Sequence, residues 1–175
     1  MQLRPIDKSS YKKRLNQVQG GAVVALLVLA LLFSELYRGL WANGESSTWL
    51  NALAVATAAG LVGLVFNIIK DKPWMADVVY LWRLKQELNR IYRSSKLIEQ
   101  ALADGDREAF VIQNFNLRGA KLLYTAEDNT LTLPELQEKI IELEATLAER
   151  QLTVSVDEYS PALLDAFKQR LKSGV

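Results

Sequence analysis

Residues Asn67–Leu88, NIIKDKPWMADVVYLWRLKQEL, decide the architecture of this chain. An apolar run stops at Lys70-Asp71-Lys72-Pro73, and Trp74, Val78, Val79, Tyr80 and Trp82 then turn apolar again. The chain here either stays in a membrane, lies along its surface, or leaves to build something soluble. Three successive charged residues mark an aqueous boundary, and proline lacks an N–H and disfavours helix at the residue before it. Proline also suits the first turn of a new helix. Beyond it, Leu81, Leu84 and Leu88 open an apolar stripe of helical spacing. The stretch reads as an exit, with Trp74, Tyr80 and Trp82 near the headgroups or in a helical core.

Upstream of this exit the apolar residues are concentrated. Leu15–Ser34 is 20 residues without a charge and Ser46–Ile69 is 24. At about 1.5 Å per helical residue, either run crosses a hydrocarbon layer about 30 Å thick. Buried helices of a soluble protein are the alternative, but those keep a polar stripe, whereas GGAVVALLVLALLF is apolar all round. Mean hydropathy near zero conceals this concentration.

The flanks orient the runs. Arg4, Lys8, Lys12, Lys13 and Arg14 precede the first, against Asp7 alone. Between the runs stand Arg38, Glu35 and Glu45, and Lys70, Lys72, Arg83 and Lys85 follow the second. Basic residues collect on the cytoplasmic side, so both termini are expected there. Asn43-Gly44 supplies the outward reversal, bracketed by Trp41 and Trp49 at the interface. No Ala-x-Ala cleavage pattern follows Phe33, so the first run reads as a retained span.

In the second run Ala52, Ala56 and Gly60 recur every four residues, with Ala59 and Gly63 beside them. Small residues at this spacing let helices approach closely in lipid. The face packs against the first span, which carries Gly21 and Ala25, or against a second copy. Glu35 and Arg38 share one helical face near the outer end of the first run.

After Pro73 a long amphipathic helix is expected, with Leu81, Leu84, Leu88, Ile91, Ile98 and Leu102 in its core and Ser95 at one polar core position. Gly105 is its left-handed cap and Asp106 caps the next helix, through Ala109, Phe110, Leu117 and Leu123. Thr132-Leu-Pro-Glu135 reads as a capping box opening a third helix with Leu136, Ile140, Leu143 and Leu147. LTVSVDEY is an extended tail or a short edge strand, and Ser160-Pro161 starts a last helix with Leu163, Leu164, Phe167 and Leu171.

The expected fold is thus an all-α membrane protein: a two-helix transmembrane hairpin followed by a cytoplasmic helical bundle of three to four helices. A basic cytoplasmic N-terminal segment covers 1–16, the hairpin 17–69 (spans at 17–37 and 48–69), and the cytoplasmic helical domain 70–175.

Charge in the last part is divided. Lys70–Lys96 holds seven basic and three acidic residues, while Leu97–Val175 holds eight basic and fourteen acidic. Arg83, Lys85, Arg90, Arg93 and Lys96 form a candidate basic face. It pairs with Glu138, Glu142, Glu144 and Glu149 of an antiparallel third helix, or faces anionic headgroups, or is simply solvated.

Chemistry is sparse. The chain contains neither cysteine nor histidine, which excludes thiol nucleophiles, disulfides, Cys/His zinc sites and Ser-His catalysis from its own residues. GGAVVA lies in an apolar run and cannot cradle a phosphate. EDNTLTLPE lacks the glycine and register of an EF-hand loop. No catalytic residue, cofactor or metal is assigned. The expected role is non-catalytic: a membrane-anchored interaction or accessory protein. The alternative is a small subunit of a transport or channel assembly. The expected partners are the lipid bilayer and a second copy or another membrane protein, with no nucleic acid.

The arrangement of IDKSSYKKRLNQV, two apolar runs, KPWMADVVYLWRLKQELNRI, ALADGDREAF and EDNTLTLPEL resembles a family of uncharacterised bacterial two-span membrane proteins, the domain of unknown function DUF3087. VVYLWRLKQELNRI and DNTLT carry most of the likeness, which reaches about Tyr159. It implies a bacterial inner-membrane location and no activity, cofactor or catalytic residue.

Overall fold

The computed structural model describes residues 2–41 and 47–173, so the Asn43-Gly44 reversal lies outside the described residues. Its elements are helical: α1 (Lys8–Trp41), α2 (Thr48–Ile69), α3 (Ala76–Tyr92), α4 (Ser95–Ala103), α5 (Arg107–Glu127), α6 (Leu133–Glu149) and α7 (Pro161–Ser173). Short 3-10 turns occupy Pro73–Met75 and Val156–Glu158. No strand occurs among the described residues, so LTVSVDEY is extended chain with one 3-10 turn. The chain divides into two compact units, Ser9–Val79 and Met1–Lys8 with Tyr80–Val175.

The first unit holds the two long apolar helices. Both are long and apolar enough to cross a membrane, and only 0% and 11% of their most apolar windows is buried. Side chains of the two helices meet in hydrogen bonds from Ser34 Oγ to Asn51 Oδ1 at 2.6 Å and between the Tyr37 and Thr57 hydroxyls at 2.9 Å. Ala54 and Ala58, on the same stripe as Thr57, are fully buried. Ala52, Ala56 and Gly60 are exposed instead, and a Cβ added at Gly60 would meet nothing within 4 Å. The face that α2 turns to α1 is therefore the opposite one. Two faces of α2 carry alanine at spacing four, and periodicity does not choose between them; the hydroxyl of Thr57 lies with Ala54 and Ala58.

At Pro73 the helix does not continue. α2 stops at Ile69, Lys72 is extended (φ −75°, ψ 144°), and Pro73 opens the 3-10 turn. The expected single long helix also breaks at Arg93-Ser94, giving α3 and α4. Ser94 N–H bonds Ile91 C=O at 2.8 Å, tightening the turn, and Ser94 C=O starts α4 by accepting from Ile98 at 3.0 Å. Consecutive serines, whose side chains compete for the backbone, allow this. Ser94 is the buried one, not Ser95.

In the second unit α5 is central. Phe110, Val111, Ile112, Phe115, Leu117 and Leu123 bury several of its sides. α6 packs on one flank, where Leu136, Ile140 and Leu143 join Phe110 and Leu117. Leu81, Leu84, Leu88, Ile91, Ile98, Leu164 and Phe167 are buried in α3, α4 and α7. Gly119 permits a close approach: a Cβ there would stand 3.1 Å from Leu88 Cδ2 and 3.3 Å from Leu84 Cδ1.

Helix ends follow local chemistry. Gly105 takes φ 81°, and the bonds Asp106 N to Ala101 O (2.9 Å) and Gly105 N to Leu102 O (3.1 Å) complete a Schellman cap. Asp106 Oδ1 accepts from Glu108 N at 2.8 Å, as an N-cap should. The capping box at Thr132 does not form. Thr132 Oγ1 is buried and has no hydrogen-bond partner among the described residues, and Glu135 turns forward to Lys139 at 2.6 Å. The box appears instead at Ser155, with Glu158 Oε1 accepting from Ser155 N at 2.7 Å.

Candidate functional site

Two features of the second unit lie where the sequence pattern was silent. One is a buried polar knot. Glu87 is 6% exposed on α3, between Leu84 and Leu88. Its Oε2 accepts from Arg90 Nη1 at 2.9 Å and its Oε1 accepts from the Tyr159 hydroxyl at 2.5 Å. Arg90 extends the chain of bonds to Asp165 at 2.7 Å. The Tyr159 ring stacks on Phe115, centroids 4.0 Å apart. Burial, and then the bond to Glu87, push the Tyr159 hydroxyl above the ordinary tyrosine range. The Arg90 guanidinium is raised by its bond to Asp165. Both Glu87 oxygens are engaged, so the knot ties the C-terminal segment to α3 and α5. Its signal in the sequence was slight: Glu87 stands at i+3 from Leu84 on the apolar face.

The other feature is a cleft of about 850 Å³. One face of α5 forms its floor, with α3 and α4 on one side and α6 on the other. Leu88, Ile91, Ile98, Leu117, Leu123 and Leu136 supply the apolar lining. The charged groups along it are two lysines, Lys85 and Lys139, and three glutamates, Glu99, Glu127 and Glu135. Four of the five close on each other, Lys85 with Glu127 at 3.0 Å and Lys139 with Glu135 at 2.6 Å. The rim is therefore nearly neutral, and polar side chains such as Asn89, Gln113 and Asn116 share the lining with these largely buried leucines and isoleucines. No group of His, Cys, Asp or Glu among the described residues could hold a metal ion.

The candidate basic face is divided by the fold. Lys85 pairs with Glu127 on α5, and Arg90 with Glu87 and Asp165. Arg83, Arg93 and Lys96 are exposed and form no ion pair among the described residues. Pairing of α3 with the acidic side of a third helix does not occur: α6 packs on α5, and Glu144 pairs with Arg118 of α5 at 2.6 Å. Heptad spacing and opposite charge leave the partner of a helix undetermined, because every helix of the unit carries both. Tyr80 is drawn inward, its hydroxyl donating to Gln2 O at 3.0 Å and accepting from Arg4 N at 3.1 Å.

These observations define an all-helical protein with two helices long enough to span a membrane and a separate helical unit bearing a cleft. The chain belongs to the family described as Protein of unknown function (DUF3087), whose model matches residues 1–164. No curated protein and no solved structure matches it.

Proposed function

We propose that this is a non-catalytic, membrane-anchored interaction protein of the bacterial inner membrane, with both termini cytoplasmic. The apolar helices form its transmembrane hairpin and the second unit is a cytoplasmic helical bundle. The observation that carries the reading is the cleft on α5. Its occupant is a single amphipathic helix of a partner protein. A cleft lined by both polar and apolar side chains and walled by helices on both sides suits the two faces of an amphipathic helix. The rim, with two lysines against three glutamates, carries no positive charge to select a nucleic acid or a small anion.

The test fills the cleft from its floor. Ala120 lines the cleft and is half-buried. The chain is purified in mild detergent from its native cell, and its native mass and co-purifying chains are identified. A stoichiometric partner that is lost from Ala120→Trp, with helicity and melting unchanged, supports the reading. A monomer without a partner overturns it. A partner that survives Ala120→Trp also overturns the role of the cleft; if that partner is polytopic, a transport or channel assembly becomes the better reading. Protease added to intact spheroplasts should spare the second unit, and cleavage there overturns the orientation.

A further inference from the structure

We propose that the outward face of α3 docks on anionic phospholipid, with Trp82 entering the headgroup layer and Arg83 and Arg93 pairing with lipid phosphates. The inference rests on the membrane-anchored reading above and adds a surface and a partner chemistry to it. Asn89, Trp82, Arg93, Gln86 and Arg83 fall within an arc of about 120°, at 100° per residue. All five are exposed, Trp82 to 61%. No acid of α3 falls in the arc; Val79 and Arg90 share it, and Arg90 there holds Asp165 of α7 at 2.7 Å. Arg83 on α3 and Arg93 in the turn just after it form no ion pair among the described residues, whereas Lys85 and Arg90 are engaged by Glu127, Glu87 and Asp165.

An amphipathic indole beside the unengaged guanidinium of Arg83, with that of Arg93 about three turns further along, suits a bilayer interface, where the ring leaves water and the charges meet phosphate. Trp82 stands thirteen residues past Ile69, the last helical residue of α2. A short tether to a span raises the effective concentration of the face at the leaflet, so a weak docking energy suffices. Each basic residue near an anionic surface contributes about a fivefold shift in such an equilibrium.

The test uses the full chain with W41F, W49F and W74F, leaving Trp82 as its one tryptophan. It is reconstituted in lipid nanodiscs, which leave both faces open to solutes. One set contains phosphatidylcholine alone and the other phosphatidylcholine mixed with phosphatidylglycerol. Headgroup-proximal brominated lipid should quench Trp82 in the anionic discs, and iodide should quench it in the neutral ones. R83Q with R93Q should shift the docked-to-undocked ratio roughly 25-fold toward iodide access, as should high salt. Equal iodide access in both discs, with the chain incorporated and helical, overturns the inference alone. A chain that does not incorporate into discs overturns the anchoring reading on which it rests. Shielding of Trp82 in neutral discs by an added DNA oligonucleotide, without shielding by phosphatidylglycerol, overturns the lipid assignment in favour of nucleic acid.

Discussion

In α1 Val24, Leu27 and Leu31 are 61%, 60% and 69% exposed, whereas in α5 Phe110, Ile112 and Phe115 are 2%, 0% and 0% exposed. Both helices are rich in large apolar residues, yet only one hides them. α5 lies among helices that cover several of its sides, and each covered side chain leaves water. The apolar middle of α1 is left largely exposed among the described residues. Under the membrane-anchored reading proposed above, the same residue types report two different solvents. The contrast extends to polar groups. In the second unit a buried carboxylate is tied by a tyrosine and an arginine, whereas in the first the hydroxyls of Ser34, Tyr37 and Thr57 bond within the helix pair.

The largest expected effect breaks the buried side of this comparison. Phe115→Ala removes a fully buried ring and the stack under Tyr159, and should cost about 3–5 kcal/mol, read as loss of cooperative melting of the second unit. On the exposed side, Leu27→Arg should cost about 2.5–3.5 kcal/mol against membrane insertion, read by the fraction of chain extracted with alkali. The matching surface change, Ile141→Lys on α6 where Ile141 is 56% exposed, should alter melting by no more than about 0.5 kcal/mol. A harmless Leu27→Arg would mean that α1 is exposed to water, and the contrast would collapse.

Smaller effects sharpen the polar half. Tyr159→Phe leaves one oxygen of Glu87 short of a donor and should cost about 1–3 kcal/mol in denaturant unfolding. Its pH dependence has a defined sign. Burial raises the Tyr159 pKa in the folded state, so the folded chain keeps that proton where the unfolded chain releases it. The contribution is complete below about pH 10, the range of a free tyrosine, and is lost as pH rises through the raised folded value. Wild-type stability should therefore fall above about pH 10 more steeply than that of Tyr159→Phe. Parallel curves would show that Tyr159 is not held as a buried neutral phenol.

Legibility followed the range of the interactions. The apolar stripe of α3, the Gly105 cap, the Asp106 N-cap and the start of α7 at Pro161 were readable because each depends on residues within a turn or two. The break at Ser94 was less so. Ser94 and Ser95 are alike in sequence, and only packing decides which of them is buried. Thr132 carries the pattern of a capping box without forming one, while Glu135 bonds Lys139. The candidate cleft was not readable at all, since its walls come from α3, α4 and α6.

The sequence by itself determined the two apolar runs, the helical class of the remainder and the absence of thiol and imidazole chemistry, since composition and short-range periodicity carry these. Tertiary structure decided which alanine face of α2 meets α1 and that α6 pairs with α5. It also decided that Glu87 lies buried against Tyr159, 72 positions away, and that Arg83 and Arg93 are left outside while Arg90 is enclosed. Each of these depends on which surfaces meet across long stretches of chain, and helices of similar pattern are interchangeable until packing chooses among them.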